Sequence, residues 1–203
     1  MIDSLEQAAK RPVSRETFKR LKTYVELLKT GSGRHNLVSS ASLEHIWDRH
    51  ILDSAQLLRC EPHPGASWVD VGSGAGLPGV VIACLAEGDV TLVEPRRLRA
   101  EFLRDTVLAL NLHAKVECRR IERVIGRFDV ITARAVAPLP KFIEMSHHLS
   151  TEKTVWVLPK GRSAQSELVE AERAWQGVFH VEQSVTGADS GIIVGTGVKA
   201  KTR

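Results

Sequence analysis

Hydrophobic positions follow two different spacings, which divide the chain into an N-terminal helical part and a longer part of alternating strands and helices. In the first helix they recur every three or four residues: Phe18, Leu21, Val25 and Leu28. Ser14 precedes this run as a candidate N-cap, and Gly31–Gly33 are predicted to end it. A second helix is predicted from about Ser42 to Leu58. The pattern therefore predicts a helical extension over residues 1–58.

From residue 67 onward, short apolar runs typical of buried strands alternate with helical patterns. The predicted strands are 68–71, 90–94, 114–118, 128–132, 154–158, 178–185 and 191–198. The helical patterns between them are 77–86, 98–110, 138–149 and 163–175. This alternation predicts an α/β core over residues 67–198. Residues 59–66 are predicted to be a linker, and residues 199–203 a basic tail.

The first predicted strand, Trp68–Val71, leads into a loop with glycine at every second position: Gly72, Gly74 and Gly76. A strand, a glycine turn and a helix open many nucleotide-binding sheets, because glycine lets the backbone turn tightly and approach a ligand. The segment 74–79 also matches the dinucleotide fingerprint, and Glu94 follows Gly74 by twenty residues, where an acid suits ribose hydroxyls. The loop and Glu94 alone fit either NAD or S-adenosylmethionine.

Asp70 distinguishes the two ligands, because it lies two residues before Gly72 at the mouth of the loop. A carboxylate there would repel a pyrophosphate, whereas it would attract the ammonium and sulfonium groups of S-adenosylmethionine. Asp70 could instead do no more than cap the glycine turn. We therefore favour S-adenosylmethionine as the cofactor, with the capping role of Asp70 as the open alternative.

Composition permits several partners and excludes few. The 203 residues are 43% hydrophobic and 26% charged, as in one ordinary globular domain, and the net charge of +4 permits a nucleic-acid partner without requiring one. Three cysteines, Cys60, Cys84 and Cys118, lack metal-ligand spacing, and the N-terminus does not resemble a signal peptide. We expect a cytoplasmic protein without a metal. The longest apolar run, 77–86, is too short to span a bilayer.

Basic residues are concentrated in two segments. Six basic residues and one acid lie between Lys10 and Lys22, which predicts either a solvated helix face or a phosphate-facing surface. Arg96, Arg97 and Arg99 stand at the start of a predicted helix, where the helix dipole disfavours cations. Either these arginines are solvated, or an anion binds near them.

Several candidate site residues follow predicted strands, at the carboxyl edge where doubly wound sheets bind ligands. Ile121 and Glu122 follow the third strand, and Glu122 could accept a hydrogen bond from an adenine amino group. Arg134 follows the fourth strand, and Lys160 follows the fifth at the same edge.

A polar cluster lies in the second predicted helix. Arg49 and Asp53 are four residues apart and could pair on the helix surface, while Asp53 could instead orient the imidazole of His50. A structural role for all three is the remaining alternative.

These motifs, in this order, closely resemble the ribosomal small-subunit methyltransferase G family, once called glucose-inhibited division protein B. The resemblance covers about residues 15–198 and rests on five segments: Asn36-Leu37, Arg49-His-Ile-Leu-Asp-Ser54, Asp70-Val-Gly-Ser-Gly-Ala-Gly-Leu-Pro-Gly79, Thr132-Ala-Arg-Ala135 and Lys160-Gly161. It implies a class I methyltransferase with a seven-stranded, mostly parallel sheet, an antiparallel last strand and N-terminal helices. It also implies methylation of guanine N7 in small-subunit (16S) ribosomal RNA, with S-adenosylmethionine as the cofactor.

The resemblance also assigns roles to individual residues. Gly72 and Leu77 would contact the cofactor, and Ile121 and Glu122 would line its adenine. Arg134 would lie beside the methionine end or the incoming guanine. Arg49, His50 and Lys160 would face RNA. Leu77 stands where many members have Phe, and Glu94 replaces a frequent Asp, which affects packing more than activity.

Two further expectations concern the site residues. Arg134 and Lys160 are the candidate catalytic residues, and Arg96 and Arg97 are further candidate RNA contacts. Guanine N7 needs no deprotonation, so no general base is expected. The expected partner is the small ribosomal subunit, the expected state is a monomer, and no membrane or metal is expected. An NAD-dependent oxidoreductase and a non-catalytic RNA-binding module remain as alternatives.

Overall fold

A seven-stranded sheet forms the centre of the computed structural model, which describes residues 1–35, 37–38 and 43–201. Its strands are β1 Trp68–Val71, β2 Val90–Val93, β3 Ala114–Glu117, β4 Val130–Thr132, β5 Val155–Lys160, β6 Trp175–Gln183 and β7 Gly191–Ala200. They lie in the order β3-β2-β1-β4-β5-β7-β6. Neighbours among β1–β5 pair in parallel, and β7 is antiparallel to both β5 and β6. This confirms the predicted fold class.

The helices cover both faces of the sheet. They are α1 Ile2–Ala9, α2 Arg15–His35, α3 Asp53–Ala55, α4 Gly79–Leu85, α5 Arg97–Ala109, α6 Leu139–Ser146 and α7 Ala164–Ala171. A π-helix, Trp47–Leu52, leads into α3, and a 3-10 helix, Gln56–Cys60, follows it. Two further 3-10 turns are Ile121–Arg123 and His147–Leu149.

Alternate residues of β1 face two separate parts of the core. Trp68 packs on one side with apolar residues of α1, α2, α4 and α5, including Leu5, Leu21 and Leu103. Val69 and Val71 pack on the other side with α6 and α7. Because the first two helices share a core with the sheet, they are positioned rigidly relative to the glycine loop. The predicted division into an extension, a linker and a core remains a prediction.

The predicted end of the first helix at Gly31–Gly33 is wrong, because α2 continues to His35. A Cβ at Gly31 would lie 2.9 Å from side-chain atoms of both Leu37 and Phe102, so glycine lets α2 and α5 approach closely. The cap at the other end forms as predicted, since Ser14 Oγ accepts the backbone N–H of Thr17 at 3.0 Å.

Several other boundaries also differ from the sequence pattern, most of them by one to three residues. The predicted helix over 163–175 ends at Ala171, and Trp175 instead begins β6 and packs its ring 5.1 Å from that of His147. The last strand continues to Ala200. Within the predicted second helix the structure has a π-helix, and the predicted start at Ser42 lies outside the described residues. In the part of the chain that the structure describes, no helix is both long and apolar enough to cross a membrane.

Candidate active site

The glycine loop after β1 adopts the left-handed backbone conformation that its sequence requires. Gly72, Gly74 and Gly76 have φ values of 70°, 58° and 97°, which residues with a Cβ rarely adopt. The loop is tied to β2, because the N–H groups of Gly72 and Ser73 both donate to the carbonyl of Val93, at 2.8 and 3.0 Å. The turn closes where Gly76 N–H donates to Ser73 O at 2.7 Å.

The three glycines face different surroundings. A Cβ at Gly72 would lie 2.6 Å from Val136 Cγ2, so this glycine lets the loop after β4 pack against the glycine loop. A Cβ at Gly76 would lie 2.5 Å from Val80 and 2.9 Å from the hydroxyl of Tyr24, which points to close packing inside the protein. The contacts of Gly74 are looser, the nearest being Gly72 O at 3.7 Å. Cofactor binding by these glycines remains a prediction.

Asp70 is buried at the end of β1, and its two carboxylate oxygens differ. Oδ2 accepts the backbone N–H of Gly79 at 3.0 Å, so the residue does cap the helix that follows the loop. Oδ1 is buried and has no hydrogen-bond partner among the described residues. Burial raises the pKa of Asp70 from 3.8 to about 6. An unpartnered, buried carboxylate oxygen fits a cationic ligand group. Capping therefore explains the position of Oδ2 but not that of Oδ1.

Glu94 is also buried, at the end of β2, but both of its oxygens have partners. Oε2 accepts Gly74 N–H at 2.9 Å, and Oε1 accepts Arg96 N–H at 2.8 Å. Glu94 therefore shapes the glycine loop, and its remaining lone pairs leave it able to accept hydroxyl donors. Ile121 is buried in the 3-10 turn after β3, and Glu122 beside it is exposed. Leu77 is buried in the core behind the loop.

Arg134, which follows β4, meets the polar residues of the π-helix. Its Nη1 lies 3.1 Å from Nδ1 of His50 and 3.7 Å from Oδ2 of Asp53. A guanidinium cannot accept a hydrogen bond, so Nδ1 of His50 is the acceptor and the proton is on Nε2. Burial, together with the charge of Arg134, lowers the pKa of His50 to about 4, which keeps the imidazole neutral at pH 7. Nε2 is buried and unpartnered among the described residues.

Asp53 orients Arg134, and not His50 as one sequence interpretation has it. Its Oδ1 accepts Gln56 Nε2 at 2.9 Å and Thr186 Oγ1 at 2.7 Å. Gln56 in turn donates to Ser184 Oγ at 3.0 Å and accepts Val185 N–H at 2.8 Å. This network joins the π-helix segment to the turn between β6 and β7. The proposed surface pair of Arg49 with Asp53 does not occur in the structure, and Arg49 is exposed.

Lys160, at the end of β5, is held by the protein itself. Its Nζ donates to the carbonyl of Ala137 at 3.1 Å and to Glu167 Oε2 at 2.7 Å. The same Glu167 oxygen accepts the backbone N–H of Leu139 at 2.9 Å. Burial opposes ionisation of Glu167, but hydrogen bonds from Lys160 and Ser163 outweigh it and lower its pKa. The pair of Lys160 and Glu167 therefore holds the backbone at Ala137 and at Leu139, where the loop after β4 leads into α6.

These groups surround an open cavity of about 490 Å³ at the carboxyl edge of the sheet. Arg134, Asp53, Lys160 and Glu167 line it, together with the residues around Gly191 at the start of β7. Val136 both lines this cavity and packs against Gly72, so the cavity adjoins the glycine loop. A ligand on the loop and a second ligand in the cavity would be neighbours.

The remaining candidates are dispersed. Arg96 and Arg97 are exposed at the start of α5, and Arg97 pairs with Glu101 at 2.8 Å. Their RNA contacts, and those of Arg49, stay predictions. Among the described residues, no three side chains of the types His, Cys, Asp and Glu are grouped so that they could hold a metal ion.

The sequence reasoning missed residues that act through others. The hydroxyl of Tyr24, the only tyrosine in the chain, donates to the carbonyl of Ala75 at 2.9 Å and so ties α2 to the glycine loop. Gln56, Thr186 and Glu167 hold Asp53 and Lys160 in place, as described above. No local pattern marks these three, because their partners are distant in sequence, whereas a single tyrosine within an apolar helix pattern is a usable signal.

The strand order with an antiparallel β7, the glycine loop after β1 and the acid after β2 define a class I S-adenosylmethionine-dependent methyltransferase fold. Over residues 17–192 the chain matches the family model described as "GidB: rRNA small subunit methyltransferase G". The chain belongs to this family, as its motifs indicate.

Similar proteins agree with this assignment. Proteins named ribosomal RNA small subunit methyltransferase G are 50% identical over 186 residues in Erythrobacter litoralis (90% of this chain, 89% of the relative) and 47% over 187 in Sphingopyxis alaskensis (91% and 80%). Among solved structures, a ribosomal protein L11 methylase from Lactobacillus delbrueckii subsp. bulgaricus has a TM-score of 0.59 at 16% identity, covering 76% of this chain and 79% of that one. A mutant of MtNAS in complex with S-adenosylmethionine has a TM-score of 0.57 at 18% identity, covering 86% and 75%. The structural likenesses show the fold, and neither alternative class is supported.

Proposed function

We propose that this methyltransferase transfers a methyl group from S-adenosylmethionine to N7 of a guanine in small-subunit ribosomal RNA. Membership of the rRNA small subunit methyltransferase G family supports the substrate. The structural observation that carries the proposal is the cavity that contains Arg134 and adjoins the glycine loop through Val136.

The residues of the glycine loop fit the methyl donor. Asp70 offers a buried, unpartnered carboxylate oxygen, which suits the ammonium group of a methionine moiety. Glu94 keeps acceptor capacity for ribose hydroxyls at the carboxyl end of β2. S-adenosylmethionine supplies an electrophilic methyl group when it is bound.

The cavity offers groups that position a base without deprotonating it. Guanine N7 has a free lone pair, so the reaction needs no general base. The imidazole of His50 is not available as one, because its Nδ1 already accepts a hydrogen bond from Arg134. Arg134 lines the cavity as a donor, and guanine O6 and the RNA phosphates are acceptors of the matching kind. Alignment of two bound reactants can contribute roughly 7–11 kcal/mol to catalysis, so positioning is sufficient as the main effect.

The direct test incubates the purified protein with tritiated S-adenosylmethionine and small ribosomal subunits that lack the modification, followed by digestion of the RNA to nucleosides. We expect the label in 7-methylguanosine. Label in another nucleoside, or in ribosomal protein, would contradict the proposal. Naked RNA and large subunits serve as matched acceptors, and the Arg134→Ala variant serves as the enzyme control.

We further propose that the enzyme works as a monomer in the cytoplasm, where ribosomal subunits are assembled. The site is built from one chain, since Asp53 of α3, the loop after β4, the end of β5 and residues of the β6–β7 turn of a single copy surround the cavity. Sedimentation of the active enzyme should give the mass of one 22.4 kDa chain. Activity only in a larger species would contradict this.

A further inference from the structure

A basic stripe on α2 lies outside the cavity and has no role in the chemistry described above. Arg15, Lys19 and Lys22, which we name the α2 ridge, are all exposed. Their spacing of four and three residues places them on one side of the helix. The three charges span about 10 Å along the axis, at 1.5 Å per residue. None of the salt bridges among the described residues involves Arg15, Lys19 or Lys22.

The α2 ridge borders a groove of about 390 Å³, in which an aromatic side chain lies beside the lysines. Two residues of the α2 ridge, Lys19 and Lys22, line this groove with Trp47, and so does the ion pair of Lys29 with Glu26. Lys22 is held over the ring of Phe18, with Nζ 5.2 Å from the ring centroid. Phe18 in turn packs against Trp47, with ring centroids 5.6 Å apart. Cations flanking a partly exposed aromatic ring are the combination that binds nucleic acid strands.

The groove is connected to the active site through the π-helix. Trp47 is the first residue of that helix, and Arg49 and His50 follow within it. His50 contacts Arg134 at the cavity, as described above. The π-helix therefore links the groove, which Trp47 lines, to Arg134, which lines the cavity.

We propose that the α2 ridge binds the phosphate backbone of the substrate RNA next to the segment that enters the cavity. This inference rests on the proposed function and adds a docking surface to it. The α2 ridge would then set the affinity for the small subunit and its dependence on salt, without touching the reacting groups.

The test replaces the three charges together, as Arg15→Gln, Lys19→Gln and Lys22→Gln, because glutamine keeps a comparable helix propensity. The matched control removes three exposed charges elsewhere, as Arg104→Gln, Lys153→Gln and Arg173→Gln. Binding of purified small subunits is measured by filter retention at several salt concentrations. Methylation kinetics and binding of S-adenosylmethionine are measured in parallel.

For the α2 variant we expect the Kd for subunits to rise about tenfold or more, since several phosphate contacts are lost. The slope of log affinity against log salt should decrease by roughly 0.7–0.9 for each lost contact. The turnover at saturating subunits and the affinity for S-adenosylmethionine should stay unchanged, and the control should behave like the wild type.

An α2 variant that binds subunits with the wild-type Kd and salt slope would overturn the inference. So would a control variant that weakens binding equally, because the effect would then be one of net charge. Wild-type enzyme that binds subunits without methylating them would contradict the proposed function, while the ratio of binding constants would still decide the role of the α2 ridge.

Discussion

Asp70 shows how one buried carboxylate can serve both the fold and a ligand. One oxygen caps α4 through Gly79, and the other is buried without a partner among the described residues. A buried acceptor that lacks a partner costs free energy, which a cationic ligand would recover. The protein without ligand is thus less stable than its packing alone would allow, and ligand binding should raise its melting temperature.

The raised pKa of Asp70 predicts how binding depends on pH. Burial raises the pKa of Asp70 from its ordinary value of 3.8 to about 6 in the folded protein. Between about pH 4 and pH 6 the folded protein therefore holds a proton that the unfolded chain has lost, so this residue's contribution to stability is present below pH 4 and is lost as pH rises through about 6. A cation needs the ionised form, so affinity for S-adenosylmethionine should fall by up to about tenfold per pH unit below pH 6.

Calorimetric titration between pH 5 and 8 checks this expectation, with Asp70→Asn as the comparison. The variant should bind more weakly at pH 7 and should lose the pH dependence in this range. An equal pH dependence in the variant would assign the effect to another group.

Arg134 is expected to contribute to turnover by positioning the substrate. It lines the cavity and is only 24% exposed, between His50 and Asp53. Arg134→Ala should lower turnover by about 100-fold or more, because loss of positioning by even 1 Å can cost that much. Thermal unfolding should be nearly unchanged, and Arg104→Ala, an exposed position on α5, is the matched control. Wild-type turnover in a folded Arg134→Ala variant would contradict the role.

Among the elements, α3 and the β6–β7 turn act as one unit. Thr186 Oγ1 donates to Asp53 Oδ1 at 2.7 Å, and Asp53 faces Arg134. Thr186→Val removes that hydrogen bond at nearly constant shape, so we expect a loss of about 1 kcal/mol in stability. Turnover should fall as well, while S-adenosylmethionine binds as before. Thr151→Val removes a loop hydroxyl outside the site and should leave turnover unchanged.

Lys160 and Glu167 are expected to fasten the segment after β4 to α7. Their ion pair is mostly buried, and Lys160 also bonds to Ala137 O. In a double-mutant cycle with Lys160→Met and Glu167→Gln, measured by urea unfolding, the coupling should be roughly 0.5–3 kcal/mol. Each single variant should lower turnover through Arg134. If Lys160 instead contacts RNA directly, Lys160→Met would weaken subunit binding without affecting unfolding, and the coupling would be near zero.

The elements differ in how well their sequence reveals them. The strands β1 and β2 are buried apolar runs between turn residues, so period and composition locate them within a residue. Gly31 is typical of a helix end in the sequence. In the structure α2 continues past it, and Phe102 packs against its backbone, where a Cβ would be too close. Trp175 reads as helical because β6 is an edge strand that is mostly exposed and lacks a strong alternation. The π-helix has no signature in one sequence.

At the scale of the whole molecule, the first helices and the sheet form one packed body. Leu5 is fully buried, and the side chain of Arg59 donates to the carbonyls of Gln7 and Ala8. Leu5→Ala should cost roughly 2–5 kcal/mol of unfolding free energy, as buried leucines do. The matched change Leu98→Ala, at a side chain 61% exposed, should cost less than about 0.5 kcal/mol. Urea unfolding checks both values, and a cost near zero for Leu5→Ala would show that α1 unfolds independently.

Some residues of the site can be inferred from the sequence, whereas others can be recognised only in the folded molecule. Asp70 and the glycine loop are contiguous, so their chemistry can be inferred from local order. Arg134 can be placed at the carboxyl edge because it follows a strand. Its partners His50 and Asp53 cannot be inferred, since they come from an element about 80 residues earlier that the sheet does not position by any periodic rule.

The bond between Asp53 and Thr186 joins positions 133 residues apart, and it has a consequence for the enzyme's own synthesis. Chains emerge and begin to fold from the N-terminus. The glycine loop and α2 are therefore made long before the β6–β7 turn exists. A nascent chain can acquire its cofactor loop early, but the support for Arg134 forms only after the β6–β7 turn has been made. The glycine loop and the support for Arg134 would therefore form at different times during synthesis.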